Sequence, residues 1–383
     1  MKKFSNGEKS SLTRTFNFIV YILDYIYKEF AAIPRDFLTE THLRFFRYNK
    51  NPNKKILALW DFNQRLARSG DFMVFLEYLG ILRREFNLNP KNLRNIDVCF
   101  IENENHYNAS QLRFSKTYDF KKNLKSSIIV SPYVDSIFSF KSNAEFERFY
   151  QQNRKRYIRW PPTVASSIIY DCRKIEQFYL KNKFIPQLDL PVEILGVIYD
   201  FYQANVYPAL PIILNIRNNP DRSGYRNSNL AEFKAFLNHY EENKAYKFIL
   251  VCSKAEIPED FRDLSNVIFS KDHFEGIEYD LAFVKTSYLT ILPSSGMGMI
   301  AWHGGVPFIE LGPRDYKHKY GCPLKGGKFA YFAEYQRVYH NNDISSKWLI
   351  SIFEDLVSYL QKNNLNNNLK NKIEDKKEYE SRF

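Results

Sequence analysis

The chain has 383 residues, of which 44% are hydrophobic and 26% charged, and carries a formal charge of +12. That is enough for two domains with their own cores and ordinary for a globular protein. The positive charge suits a phosphorylated substrate, a nucleic acid or an acidic membrane surface. No Lys/Arg-rich helix, zinc-finger spacing or RNA-binding aromatic signature accompanies it, which sets nucleic acid aside.

The apolar stretch from Phe16 to Tyr27 follows Lys2, Lys3, Lys9 and Arg14. It is too short to span a bilayer, contains Asn17 and Asp24, and lacks a small-residue cleavage site. The expectation is a helical extension over 1–52 that packs on the core, with attachment to an anionic membrane as the second reading. Residues 53–195 are expected to form a first Rossmann-like domain. Ile56 to Trp60 is an apolar strand with Asp61 at its carboxyl end, a loop holds Arg65, Arg68, Ser69, Gly70 and Asp71, and Phe72 to Phe86 has helical spacing. A strand at Ile96 to Ile101 completes the unit. In open α/β sheets, ligands bind at the carboxyl ends of such strands. Ser127 to Ser131 reads as another strand, and Ala144 to Tyr157 and Ile168 to Tyr179 as helices. Prolines gather at Pro186, Pro191, Pro208 and Pro211 around a helix from Val192 to Tyr202, and the domain division is placed there, at 195/196.

The second domain is expected over 196–342. It alternates: strand Ile212 to Ile216, helix Asn227 to Tyr240, strand Lys247 to Cys252, strand Asn266 to Phe269, helix Phe274 to Lys285 and strand Leu289 to Leu292. A helix from Met297 to His303 and a strand from Val306 to Leu311 follow. This alternation implies parallel strands covered by helices. Ser345 to Lys362 forms an amphipathic closing helix (343–365), and the Asn- and Lys-rich tail over 366–383 has the composition of a disordered segment.

Cys99, Cys172, Cys252 and Cys322 are scattered, without a C-x-x-C pair. That excludes a disulfide framework and a zinc ribbon, and favours a reducing, cytoplasmic location. Three stretches carry candidate chemistry. In I-I-L-N-I-R-N-N-P-D-R-S-G-Y-R, a strand delivers Arg217 to a loop with Asp221, Arg222 and Arg226; clustered arginines suit phosphate oxygens, and a solvated loop is the alternative for Arg222 and Arg226. In N-V-I-F-S-K-D-H, Phe269, Ser270 and Lys271 offer an aromatic ring and backbone groups to a base. In L-P-S-S-G-M-G-M-I-A-W-H-G-G-V-P-F-I-E-L-G-P, Ser294, Ser295 and Gly296 form a turn before a helix, where backbone N–H groups and the helix dipole favour an anion. The alternative there is a βα corner without ligand. Glu310, which closes the next strand, can accept from ribose hydroxyls or be an edge carboxylate.

The order and spacing of these stretches resemble the nucleotide half of GT-B glycosyltransferases. The S-S-G-M-G-M-I-A-W-H-G-G-V-P segment is similar to the heptosyltransferase pattern, and L-N-I-R-N-N-P-D-R to the H-x-R-x-x-D-R type of fucosyltransferases. Asn215 stands where the latter often has His, a departure that tells against a fucosyl donor. The resemblance implies two Rossmann-like domains with a cleft between them, and a nucleotide-diphosphate sugar as co-substrate. Arg217, Arg222 and Ser294 to Gly296 would then hold the diphosphate, and Phe269 to Lys271 with Glu310 the nucleoside. The acceptor would be a glycan or lipid-linked glycan, with peripheral membrane contact. No Asp-x-Asp occurs, so no metal and no other cofactor are expected: arginines and a helix dipole would stabilise the leaving diphosphate. An inverting reaction needs a base from first-domain loops. Asp71 is the first candidate and Asp61 the second, although Asp71 also sits where a helix N-cap belongs. His106 and His303 are weaker candidates. A non-catalytic scaffold that binds glycan or an anionic surface, and a sugar-nucleotide epimerase on the same fold, are the competing functions.

Overall fold

The computed structural model describes residues 51–62, 69–102, 120–161, 172–218, 227–293, 295–312, 328–341 and 344–365. The expected N-terminal helix and the expected disordered tail lie outside these residues, except for the last positions before 53.

The first half is built on a four-stranded parallel sheet of order β3-β2-β1-β4. Strand β1 (Lys55–Asp61) is buried on both faces from Ile56 onward, as expected for a central parallel strand. Helix α1 (Ser69–Glu85) follows, then β2 (Ile96–Ile101), α2 (Phe120–Ser126), a 3₁₀ turn (Ser127–Val130) and β3 (Val134–Phe140). Helix α3 (Asn143–Asn153) starts with a reciprocal cap: Ser142 Oγ accepts from Glu145 N–H at 3.2 Å, and the Glu145 carboxylate accepts from Lys141 N–H at 2.8 Å. Strand β4 (Tyr157–Trp160) and helix α4 (Cys172–Asn182) complete this half.

A connector over 183–191 leads to α5 (Val192–Asn205), which packs on the second half through α8. The second sheet has six parallel strands in the order β10-β9-β8-β5-β6-β7. Its elements in chain order are β5 (Leu210–Asn215), α6 (Leu230–His239), β6 (Tyr246–Val251), β7 (Val267–Phe269), α7 (Ser270–His273), α8 (Ile277–Thr286), β8 (Leu289–Pro293), α9 (Gly298–Gly304), β9 (Phe308–Gly312), β10 (Gln336–His340) and α10 (Ser346–Lys362).

Both sheets reverse their winding beside the first strand. Strands β2 and β3 extend to one side of β1 and β4 lies on the other; β6 and β7 extend to one side of β5, and β8, β9 and β10 to the other. Chains diverge at such a reversal, opening a crevice at the strands' carboxyl ends. Asp61 closes β1 at one reversal, and Asn215 with Pro293 closes β5 and β8 at the other.

Several elements differ from expectation. Ser127–Val130 is a 3₁₀ turn rather than a strand, because Ser127 Oγ donates to Leu124 O at 2.7 Å and continues the helix end. The expected helix to Tyr157 stops at Asn153, and Tyr157 opens β4. The expected helix from Phe274 to Lys285 begins only at Ile277, after Gly276 with φ +102°, and the short α7 precedes Phe274. Strands β3, β4 and β10 were not foreseen: all three are edge strands, β3 and β10 with half-exposed patterns and β4 buried but only four residues long.

Helix α10 seals the second sheet. Its apolar stripe of Leu349, Ile352, Phe353, Leu356 and Leu360 faces inward, and Ser345 caps it by accepting from Trp348 N–H at 3.3 Å. The Phe353 ring contacts Phe236, Tyr240, Tyr246 and Phe248, with centroids 5.2–6.2 Å apart. Phe353→Ala should therefore cost about 3–5 kcal/mol, read from urea unfolding of the second half; a loss below about 1 kcal/mol would show that α10 contributes little.

Candidate functional site

The site is assembled where the two reversals face each other. The turn after β8 meets the start of α1. A Cβ added at Gly296 would collide with the Ser69 hydroxyl and lie 2.7 Å from the Gly70 nitrogen; one added at Gly70 would lie 3.0 Å from the Gly296 Cα. Backbone therefore touches backbone across the seam: Gly296 has no room for a Cβ, and Gly70 only a tight fit for one. This contact brings together the Ser295-Gly296 turn, Asp71 in the first turn of α1, and the sheet end bearing Asp61. Asp71 lies inside the helix rather than at its N-cap, because α1 begins at Ser69. It is half-buried, whereas Asp61 is buried at 4% exposure.

Ser295 is held from the second sheet. Its hydroxyl donates to Asn215 Oδ1 at 3.0 Å, and the Asn215 amide donates to Val251 O at 2.6 Å. Asn215 thus ties the ends of β5, β6 and the β8 turn into one unit. No sequence signal announces this role; only its place two residues before Arg217 hints at it. Arg217 N–H donates to Ser228 Oγ at 3.1 Å, and Ser228 N–H donates back to Arg217 O at 2.7 Å. The pair closes the arginine-bearing loop at its neck. Arg222, Arg226 and Ser294 lie outside the described residues, as do Arg65, Arg68 and His106.

The expected nucleoside segment is tightly engaged within the protein. Phe269 is buried and the Arg262 guanidinium lies 4.6 Å from its ring centroid; Arg262 in turn pairs with Glu259 and Asp272, both at 2.7 Å. Ser270 is fully buried. Lys271 donates to Asp280 Oδ2 at 2.6 Å and to Gly276 O at 3.3 Å. Burial pushes the Asp280 carboxyl up to about 6, against the opposing pull of Lys271. Glu310 is buried beneath α9, where it accepts from Trp302 Nε1 at 2.6 Å. It fastens that helix to β9, and the structure does not bring its carboxylate together with Phe269 in any described contact. His303 is fully buried and stacks on Tyr331; neither ring nitrogen has a hydrogen-bond partner among the described residues. Burial pushes its pKa down to about 3, so it is a neutral packing residue at physiological pH.

Sequence reasoning missed the lysines of α2. Lys121 lies 5.4 Å from the Phe62 ring centroid and Lys125 5.6 Å from that of Phe100, while Lys125 also pairs with Glu102. Across the cleft, Glu275 is held below the usual carboxylate range, first by its hydrogen bond from Lys254 and also by Lys122 and Lys271. Lysines of both halves therefore share one rim. The F-K-K-N-L-K run was the available signal. Among the described residues no group of three His, Cys, Asp or Glu side chains is arranged to hold a metal, and no helix is long and apolar enough to cross a membrane.

No sequence family and no curated protein matches the chain. Solved structures do. A glycosyl transferase family 9 protein from Veillonella parvula aligns over 80% of this chain and 97% of its own, at 12% identity and a TM-score of 0.53. The ADP-heptose LPS heptosyltransferase II of E. coli aligns over 80% of this chain and 99% of its own, at 13% identity and a TM-score of 0.49. The fold is GT-B. Two parallel sheets with covering helices, matching the solved structure over most of both chains, carry that assignment.

Two measurements check this GT-B seam and its surroundings. Gly296→Ala forces the turn away from Ser69 and Gly70, so it should lower the melting temperature and increase the radius of gyration by small-angle scattering; an unchanged scattering curve would mean that the seam yields without cost. For Asp280, the folded pKa of about 6 lies above the ordinary 3.8. The folded protein holds this proton where the unfolded chain does not, so the resulting stability is fully present below about pH 4 and is lost as pH rises to about 6. Stability of the wild type relative to Asp280→Asn should fall by about 3 kcal/mol across that window, measured by urea unfolding; no change with pH would contradict the burial argument.

Proposed function

We propose that the chain is a glycosyltransferase that takes a sugar from a nucleotide-diphosphate donor bound in the cleft. The carrying observation is the convergence at the Gly70–Gly296 contact. Backbone donors of the β8 turn, the neck of the Arg217 loop and a half-exposed carboxylate at Asp71 meet there, at the carboxyl ends of both sheets. The Veillonella parvula structure described as a glycosyl transferase supports the reading at the level of fold.

In this reading Arg217 and Arg222 neutralise the donor diphosphate, with the turn from Ser294 through Ser295 to Gly296 supplying backbone N–H donors, since the Ser295 hydroxyl is already given to Asn215. Such donors stabilise a leaving anion without reorganising, provided they are already in place. The Asn215–Ser295 hydrogen bond does that for the turn. Phe269 to Lys271 then serves the nucleoside through its backbone, since the Phe269 ring is covered by Arg262. Asp71 is the general base for the acceptor hydroxyl: it is more accessible than Asp61, which lies behind it at the end of β1. Stabilisation by cations and N–H groups replaces a divalent ion, in keeping with the absence of Asp-x-Asp from the sequence. The E. coli neighbour's ADP-heptose makes adenosine diphosphate the first nucleotide to test.

A thermal-shift panel of ADP, GDP, UDP and CDP should reveal a stabilising nucleotide, and Arg217→Ala should weaken it about tenfold or more. Asp71→Asn should keep nucleotide binding while turnover of the matching nucleotide sugar falls by about 10²–10⁴. No response to any nucleotide sinks the proposal. Binding without turnover, indifferent to Asp71→Asn and Asp61→Asn, points instead to a non-catalytic scaffold. Donor conversion without an acceptor points to an epimerase.

A further inference from the structure

A second cleft lies at the opposite end of the first sheet. It has a volume of about 620 Å³ and is walled by the α1–β2 loop (90–94), the 3₁₀ turn and start of β3 (128–137), and the connector (189–191). These are the amino ends of β2 and β3, whereas the candidate donor site is at the carboxyl ends. The volume falls in the range of small-molecule sites.

Its chemistry is two-sided. One wall is apolar: Ile128, Ile137, Leu190 and Pro191 line it, and Ile137 is 48% exposed on the outward face of an edge strand. A lone exposed isoleucine is ordinary; one facing a concave surface beside other apolar residues marks a place for apolar contact. The other wall is cationic. Lys91 and Arg94 are exposed, and neither has an ion-pair partner among the described residues. The two acidic lining residues are already engaged: Asp135 pairs with Lys55, which also holds Asp97, and Asp189 lies 3.6 Å from the Lys285 ammonium.

The loop carrying the cations is rigid. The Arg83 guanidinium, buried beneath it, donates to the carbonyls of Asn89, Pro90 and Asn92 and to Asn95 Oδ1, at 2.9–3.3 Å. Lys91 and Arg94 therefore project from a pre-formed frame, which lowers the entropy lost on binding.

We propose that this cleft is a binding site for a small amphiphilic anion: an apolar body against Ile128, Ile137 and Leu190, and an acidic group between Lys91 and Arg94. A ligand seated there touches the connector between the two halves, remote from the nucleotide cleft.

The probe is 1-anilinonaphthalene-8-sulfonate, an aromatic sulfonate that fluoresces on leaving water; its uncharged relative N-phenyl-1-naphthylamine tests the anionic requirement. The full chain should bind the sulfonate saturably and with a steep salt dependence, and the neutral dye about tenfold more weakly. The double variant Lys91→Glu, Arg94→Glu should weaken the sulfonate at least tenfold, and Ile137→Asp should do so independently. Both sites are exposed, so melting temperature should hold; if the double variant unfolds, Arg94→Gln alone should still weaken binding. Absent saturation, binding that survives these variants, or equal affinity for the neutral dye would each overturn the proposal.

Discussion

Two residues without side chains decide how near the halves of this molecule come. At Gly70 and Gly296 the start of α1 meets the turn after β8, with no room for a Cβ at Gly296 and an approach of 3.0 Å for one at Gly70. Every candidate contact to a donor or acceptor depends on that approach. Asp71 follows Gly70 by one residue and Ser295 precedes Gly296, so a shift of an ångström at the seam moves base and phosphate contacts apart. Catalytic geometry is sensitive to displacements of that size. Backbone N–H groups of the turn and of the first turn of α1 also share the resulting space, and such groups favour an anion.

The seam is fixed elsewhere as well. The largest apolar cluster contains Trp60, Phe72 and Phe75 from the first half together with Leu281, Ile300 and Trp302 from the second. The connector is bonded to both: Leu188 N–H donates to His303 O at 3.0 Å, and Asp189 N–H donates to Val130 O at 2.8 Å. Lys285 completes the fastening by donating to Leu188 O and Gly304 O at 3.0 and 2.8 Å. Near it the fully buried Glu77 has no hydrogen-bond partner for either oxygen among the described residues. Burial raises its pKa well above the carboxylate range even with Lys285 pulling the other way, so the group is held as a neutral acid. A continuous core with a neutral acid and a solvated-by-carbonyl ammonium inside it is stiff: orientation of the halves is part of the fold, not an afterthought of ligand binding.

The central strands were legible because burial on both faces demands continuous apolar runs. Ile56 to Trp60 and Ile96 to Ile101 could hardly be anything else, and the alternation after Ile212 gave the second sheet its parallel order. What sequence did not convey were strands with a half-exposed pattern. Strand β3 (V-D-S-I-F-S-F) and β10 (Q-R-V-Y-H) need bury only one face or less, so their composition is close to that of a loop. The same limit applied to the site. Arg217, Ser295, Gly296 and Asp71 could be named from their places after strands, but the reason Gly296 must be glycine lies more than 200 residues away at Gly70, and Asn215 reaches Ser295 across 80 residues. Glu310 was open to two readings from sequence; the Trp302 indole that occupies its carboxylate belongs to a helix whose packing no pattern states.

The charge of the chain acquires a location once the halves are joined. Lys121, Lys122 and Lys125 come from the first half, and Lys254 and Lys271 from the second; each half alone would show an ordinary lysine-bearing surface. Lys125 pairs with Glu102, Lys254 with Glu275 and Lys271 with Asp280, and the last of these pairs is largely buried. Fixed charges contribute more to binding an anion than mobile ones, because less reorganisation follows its arrival. A positive rim that exists only in the assembled cleft ties recognition of an anionic ligand to the same Gly70–Gly296 contact that sets the geometry. Fold, charge and site therefore rest on one approach of two chains, and a substitution that widens it should weaken all three together.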